Sequence, residues 1–418
     1  MYALVDANAF YCSAEQVFRP EWRNRPIIVL SNNDGCIVAA NKQAKLAGIV
    51  KFKPYFEVKS LCQQKGVIAL SSNYELYGSL SSAMMEVIGR FAPEQHIYSI
   101  DESFLSFKHC AKAIPCLEQH AQKIRKAVWK ETRLPVCVGI GNTLTLSKVA
   151  NHAAKHLEGY GGVCTINNTQ QRIDILKHMH TTDVWGVGSR IGKRLAQMNI
   201  NNAYALACMK PELAKRQFNI ELERTVRELN GEECKGWDEA RADKKQIFST
   251  RSVGQRITTL AQLCQALSKH ASIAAAKARK QGSLCHSMLI FAHNSPYDER
   301  PTGFKYTHHF AYGTNDTFDL IQVTHQVANA RFAEGVRYYK IGIGLVNLSS
   351  ESYRQQDLFE PVKNTQLMPT LDNINAIYGS GTLFVAAQGI NPKWHMRREL
   401  LTPQYTTRWQ DIPCIDCN

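Results

Sequence analysis

Residues 97–107, IYSIDESFLSF, set two acids, Asp101 and Glu102, inside an otherwise apolar frame. Ile97, Tyr98, Ile100, Phe104, Leu105 and Phe107 read as strand residues on either side of them. Adjacent carboxylates repel, and a two-residue hairpin turn prefers Asn-Gly or Asp-Gly to Asp-Glu. A pair that breaks turn preference inside an apolar frame points toward function. The first strand, within YALVDANAFY (2–11), delivers a third acid, Asp6, where apolar alternation ends. If the two strands are neighbours in one sheet, three carboxylates converge at strand ends. Converging carboxylates are hard oxygen ligands suited to Mg²⁺, and two such ions about 3.5–4 Å apart can activate an attacking oxygen and neutralise a leaving pyrophosphate. The plainer alternative is that each acid is a solvated strand end or turn residue, and for Asp6 taken alone that alternative is the stronger.

Outward from these strands, the chain alternates strand and helix. YALVDA, RPIIVLS and LPVCVGIG read as strands, while SLSSAMMEVIGRFAP and CLEQHAQKIRKAVWKE space their apolar residues as helices do. An inserted stretch, roughly 19–70, is broken by Gly and Pro. Residues 170–235 read as several short helices, and GEECKGWDEARADKKQ reads as a linker. From about 246, IFSTRSVGQRIT, a long helix LAQLCQALSKHASIAAAKARKQ, and strands SMLIFAH and YYKIGIGLVNL make a second α/β unit. A chain of 418 residues with 44% hydrophobic content is expected to fold as three or four domains.

Charge narrows the partners. The net charge is +14, and residues 241–350 alone hold 14 Lys and Arg against 6 Asp and Glu. Lys244, Lys245, Arg251 and Arg256 fall in this segment, where alternation would put Ser252, Gly254 and Arg256 on one face and Arg251 on the other. Such asymmetry suggests a polyanion, most simply a nucleic-acid backbone; a solubility surface is the bland alternative. WGVGSRIGKRL places Gly186 and Gly188 ahead of a helix carrying Arg190, Lys193 and Arg194. A glycine turn and a helix N-terminus can hold a phosphate through backbone N–H groups, although a lone GxG more often marks an ordinary turn.

Other signals are weaker. Lys148 and Lys155 are seven residues apart and share a helix face, and Lys148 reads as a solvated helix residue. The thirteen cysteines are scattered and odd in number, as expected of free thiols in a reducing compartment. Cys414 and Cys417 have zinc-like spacing but no second pair, and the histidines form no ligand set. No apolar run reaches the length of a membrane span, and MYALVDANAF lacks a basic region and a cleavage site, so a soluble, cytoplasmic protein is expected.

Several motifs in one order carry a resemblance. ALVDANAFYCSAE, YSIDESF, GIGNTLTLSKVANHAAK and WGVGSRIGKRL resemble the Y-family translesion DNA polymerases. VLSNNDGCIVAANKQAK, SSNYELY, LERTVRELNGE and TPQYTTR are similar to the UmuC-type branch of that family, and the similarity runs from residue 1 to about 410. The resemblance implies an α/β (α+β) right-hand polymerase: palm at 1–18 and 71–165, fingers at 19–70, thumb at 166–235 with a helix-hairpin-helix-like element, little finger at 241–350, and a tail at 351–418. It implies Asp6, Asp101 and Glu102, with the Ala7 carbonyl, as ligands of two Mg²⁺ ions, Asp101 and Glu102 being catalytic. Tyr11 would be the steric gate against the sugar 2′-hydroxyl, with Phe10 packed against the sheet. Lys45 and Lys155 would bind the triphosphate; Lys42 and Lys45 stand where the family often has Tyr and Arg, so the fork of an arginine is not available. Gly186, Gly188, Arg251 and Arg256 would contact DNA. In QQDLF, Gln355, Leu358 and Phe359 resemble a peptide that docks on the sliding clamp, although a short QxxLF is common in any sequence. Error-prone translesion synthesis in the SOS response is the implied activity, with primed DNA, deoxynucleotides, UmuD′-like accessory subunits and RecA as partners. Two other functions fit the acids: another palm-type phosphoryl transferase, such as a nucleotide cyclase, or a catalytically inactive DNA-damage scaffold.

Overall fold

Strand β1 (Tyr2–Ala7) is apolar except at Asp6 and buried along most of its length, as suits a strand covered on both faces. The computed structural model describes residues 1–418 apart from 111–112, 237–242, 354–363, 365, 391–393, 395 and 414–418. Two compact units emerge: residues 1–31, 35–241 and 400–418 form the first, and residues 32–34 with 242–399 form the second.

In the first unit, β1 leads into α1 (Phe10–Glu15). A small sheet follows: β2 (Ile27–Leu30), β3 (Ile37–Ala40), helices α2 (Lys42–Leu46) and α3 (Tyr55–Gln64), then β4 (Ile68–Ser71), in the order β3-β2-β4. The chain continues through α4 (Tyr74–Gly89), β5 (Glu94–Ile97), β6 (Glu102–Ser106), α5 (Leu117–Thr132), β7 (Val136–Gly141), α6 (Leu144–His156) and β8 (Val163–Thr165). These strands make a five-stranded sheet, β5-β6-β1-β7-β8, with β1 antiparallel to both its neighbours. Val5, Val138 and Ile140 pack with Leu80 and Met84 of α4 and with Ile124 and Val128 of α5. Cys137 packs with Leu146, Val149 and Ala153 of α6.

Helix α6 rides unusually close to β7 because Gly139 has no side chain. A Cβ there would stand 2.0 Å from the Asn151 N and 2.4 Å from the Ser147 O. Asn151 then pins the helix, its Nδ2 donating to the carbonyls of Leu4 (3.2 Å) and Cys137 (2.9 Å). Five helices follow: α7 (Thr169–His178), α8 (Ser189–Gln197), α9 (Ala203–Ala207), α10 (Pro211–Gln217) and α11 (Ile220–Leu229). Glu228 of α11, fully buried, accepts from the Thr145 N (2.9 Å) and ties this bundle to the start of α6.

The second unit is β9 (Ile247–Ile257), α12 (Leu260–Gln281), β10 (Ser283–His293), β11 (Gly303–Thr314), α13 (Thr317–Arg331) and β12 (Tyr338–Ser350), followed by α14 (Leu367–Tyr378). Its sheet order is β11-β10-β12-β9, with Leu267, Ala271 and Ala274 of α12 and Leu320 of α13 packed against Met288, Ile290, Ile341 and Ile343. Sequence patterning finds β9, α12, β10 and β12 but not β11 or α13. β11 is an edge strand, largely exposed along its length, so it shows little apolar alternation. Among the described residues no helix is long and apolar enough to cross a membrane, and the eleven described cysteines are all free.

Candidate active site

The pairing of β1 with β6 sets Asp6 directly opposite Glu102, and the Ala7 N donates to the Asp101 O at 2.9 Å. Asp6 therefore meets the Asp101–Glu102 pair at one end of the sheet, across 95 residues of sequence. The intervening turn corrects one expectation: Tyr98 and Ile100 are not strand residues, because β5 ends at Ile97 and β6 begins at Glu102. A serine makes that turn. The Ser99 Oγ accepts from the backbone N of Glu102 (3.1 Å) and donates to Asp101 Oδ1 (2.6 Å), while the Ser81 Oγ of α4 donates to the Ile100 O (2.6 Å). The local hydroxyl supplies the turn that Asp-Glu alone does not favour.

Two lysines of α6 face these acids. Lys155 Nζ lies 2.6 Å from Asp6 Oδ1, and Lys148 Nζ lies 2.7 Å from Glu102 Oε1; all four side chains are less than a quarter exposed. Burial pushes the Asp6 carboxyl up to about 6, opposed by Lys155 and reinforced by Glu102 and Asp101. Lys148 is also boxed by aromatic rings, 4.6 Å from the Tyr98 centroid, 5.3 Å from Trp185 and 5.7 Å from Phe104. Trp185 is itself held by donating to the Tyr98 Oη (3.2 Å). Lys148 is thus part of the site and not the solvated helix residue its sequence position suggests. The signal was present in its spacing from Lys155, since both project from the face of α6 that Asn151 holds against β1.

Asp6, Asp101, Glu102 and the Ala7 carbonyl fit a divalent cation chemically, being hard oxygen donors at adjoining strand ends. Among the described residues no set of three acidic, histidine or cysteine side chains closes around a single ion position as the side chains stand. The lysines instead take one oxygen each of Asp6 and Glu102.

The aromatic wall is built by α1 and α4. The strand-to-helix turn runs through Ala9 in the left-handed region (φ 45°, ψ 51°), a backbone state that non-glycine residues adopt at a cost. Phe10 then packs into the core, whereas Tyr11 is half-buried. The Tyr11 ring stacks on Tyr77 (4.7 Å, 18°) and meets Tyr74 edge-on (6.1 Å, 88°). Lys45, in the last turn of α2, is exposed. It joins Lys155 in depressing the protonation of His156, after burial, so the two predicted phosphate lysines act on one locality.

The predicted DNA contacts divide. Gly186 has φ 88°, which only glycine adopts freely, and Gly188 caps α8 with no side-chain acceptor for its first N–H groups. Arg256 is engaged by Asp298 in a two-bond pair (3.0 and 3.1 Å) and lies over the Tyr339 ring. Arg251 pairs in register with the buried Ile341 and acts on His270 of α12, so it lies on the helix-covered side of the sheet; burial, then Arg398, lowers its proton affinity. Ser252 is on the opposite, open side in register with Lys340. Gln355, Leu358 and Phe359, with Cys414 and Cys417, lie outside the described residues.

Comparison with known proteins gives a consistent set of matches. The sequence model described as the impB/mucB/samB family matches residues 5–152, and that of the family's C-terminal domain matches 244–358. A domain of unknown function, DUF4113, matches 365–415. The chain is 40% identical to SamB of Salmonella typhimurium and 38% identical to UmuC of Salmonella typhimurium strain LT2, each over 99% of both chains. Among solved structures, a Y-family DNA polymerase chimera of Dbh and Dpo4 superposes with a TM-score of 0.62 at 16% identity, covering 84% of this chain and 99% of that one. That likeness is one of fold.

Proposed function

The chain belongs to the impB/mucB/samB family, and from that premise we propose that it is the catalytic subunit of an error-prone polymerase that copies damaged templates in the SOS response. It is a DNA polymerase of the Y-family fold, and its reaction is template-directed nucleotidyl transfer. The observation that carries this reading is the β1–β6 register, which brings Asp6 opposite Glu102 and bonds Ala7 to Asp101.

Asp6, Asp101 and Glu102, with the Ala7 carbonyl, would hold two Mg²⁺ ions, which when bound would supply activation of the primer 3′-oxygen and neutralisation of charge on the pyrophosphate. Ser99 keeps Asp101 oriented, and the aromatic box keeps Lys148 beside Glu102. Lys155 and Lys45 bind the triphosphate: a lysine within 2.6 Å of a carboxylate can move to a phosphate oxygen by a small rotation of its stem. Tyr11, backed by Tyr77, excludes a sugar 2′-hydroxyl. The N–H groups after Gly186 and Gly188 hold a DNA phosphate, aided by Arg190, Lys193 and Arg194. The basic second unit tracks the duplex backbone; Arg256 does so by exchanging Asp298 for phosphate, and Arg251 supports the sheet from its covered side. Gln355, Leu358 and Phe359 dock on the sliding clamp, UmuD′-like subunits and RecA complete the assembly, and the enzyme works in the cytoplasm.

Primer extension on a primed template, with Mg²⁺ and accessory subunits, tests the reading. Asp101→Ala is expected to reduce incorporation by about 10³-fold or more while the far-UV spectrum is retained. Wild-type incorporation by that variant overturns the assignment.

A further inference from the structure

The C-terminal segment 400–405 belongs to the first unit, where it straps α1, α4 and β4 together. Leu400 exchanges two bonds with Ser71, its N donating to the Ser71 Oγ (2.9 Å) and its O accepting from the Ser71 N (3.0 Å). Asn73 caps α4 and turns its amide on the segment, donating to Thr402 Oγ1 (3.0 Å), the Thr402 O (3.2 Å) and the Pro403 O (3.2 Å). Tyr405 stacks on Phe18 (4.7 Å, 20°) and accepts from Arg19 Nε at 3.0 Å. Asn73, Thr402 and Tyr405 are all buried.

The centre of this strap is a carboxylate that nucleotidyl transfer does not use. Glu15, 1% exposed, accepts from the Thr402 Oγ1 (2.8 Å) on one oxygen and from the Tyr77 Oη (2.7 Å) on the other. Tyr77 is fully buried, and its ring is the surface on which Tyr11 stacks. A continuous contact chain therefore runs from the tail through Thr402, Glu15 and Tyr77 to Tyr11. A buried acid with one donor removed must reorient or take up a proton, and either response shifts the remaining partner.

We propose that residues 400–405, within the segment matched by the DUF4113 model, act as a positioning strap that sets the nucleotide-site aromatic Tyr11 and so tunes sugar discrimination. Thr402 is the positioning residue, acting through Glu15 and Tyr77 and touching no substrate. The inference rests on the reading of Tyr11 as the sugar-facing residue.

The test measures incorporation of deoxyribonucleotides and ribonucleotides by the full chain with its accessory subunits. Thr402→Val removes the donor at nearly constant volume and is expected to lower the deoxy-to-ribo preference about threefold to tenfold, raising KM for the deoxynucleotide more than it lowers kcat. Thr402→Ser, which restores the hydroxyl, is expected to restore the preference; a merely structural tail would move stability and not this ratio. Tyr11→Ala is measured alongside. If it keeps wild-type discrimination, the reading of Tyr11 fails and the strap falls with it. If Tyr11→Ala loses discrimination while Thr402→Val keeps it, the strap alone is overturned. Should Thr402→Val be recovered unfolded, Tyr405→Leu loosens the same segment at Phe18 and carries the same expectation, with unchanged discrimination again overturning the proposal.

Discussion

Two kinds of carboxylate occur in the first unit, half-buried ones at strand ends and a fully buried one on α1, and their partners differ. Asp6 and Glu102 are each met by a lysine of α6, whereas Glu15 is met by the hydroxyls of Tyr77 and Thr402. A lysine–carboxylate pair that keeps some exposure can be traded, since the ammonium can move to a phosphate and the carboxylate to a metal. A pair of hydroxyls on a buried acid offers no such exchange, because both partners are neutral; burial instead pushes the Glu15 carboxyl up to about 7 against the pull of Tyr77 and Thr402. The first arrangement suits chemistry and the second suits holding a ring in place.

The contrast breaks most severely from beneath. Gly139→Ala puts a methyl 2.0 Å from the Asn151 backbone, so α6 must lift with both its lysines. A loss of about 3 kcal/mol or more is expected, read as a large fall in the thermal midpoint together with lost incorporation. A midpoint within a degree of wild type would show that α6 does not owe its position to that glycine.

Removing the lysines one at a time sharpens the comparison further. Lys155→Met is expected to raise KM for the incoming nucleotide about tenfold or more, as the loss of one charge-assisted bond. Lys148→Met should act mainly on kcat, because its partner is Glu102, which we propose to be catalytic, and its ammonium is fixed by Tyr98, Phe104 and Trp185. Steady-state kinetics on a single template position separate the two, and equal effects on KM would remove the distinction between them.

The smallest effect belongs to Glu15. Its folded pKa is raised, so the folded state binds the proton more tightly than the unfolded chain does. That contribution to stability is complete below about 4.5 and is lost as pH rises through about 7. Thermal midpoints should therefore decline between these values in the wild type, and decline less in Glu15→Gln. Parallel pH profiles for the two proteins would place the titration elsewhere.

Much of this site is legible from residue order, for identifiable reasons. Asp6 and the Asp101–Glu102 pair betray themselves as charges interrupting apolar strands, and Phe10 next to Tyr11 follows from the turn of α1. Ser99 hides because serine is common in turns and its hydroxyl matters only through the bonds it makes. Lys148 is misjudged because a lysine on an amphipathic helix is usually solvated, and nothing nearby in sequence announces Tyr98 or Trp185 as its walls. Arg251 and Arg256 show the limit of charge counting: the basic excess of residues 241–350 suggests a polyanion, but counting does not tell that Arg251 lies on the covered side of its sheet or that Arg256 pairs with Asp298.

Residue order by itself determined strands such as β1, β2, β7, β10 and β12, the three acids near strand ends and the basic bias of residues 241–350, because period and local charge are written in neighbouring positions. Tertiary structure decided which charge meets which acid. Lys148 reaches Glu102 across 46 residues and Thr402 reaches Glu15 across 387, and contacts at such separations arise only when sheet register and helix packing bring the chain back on itself.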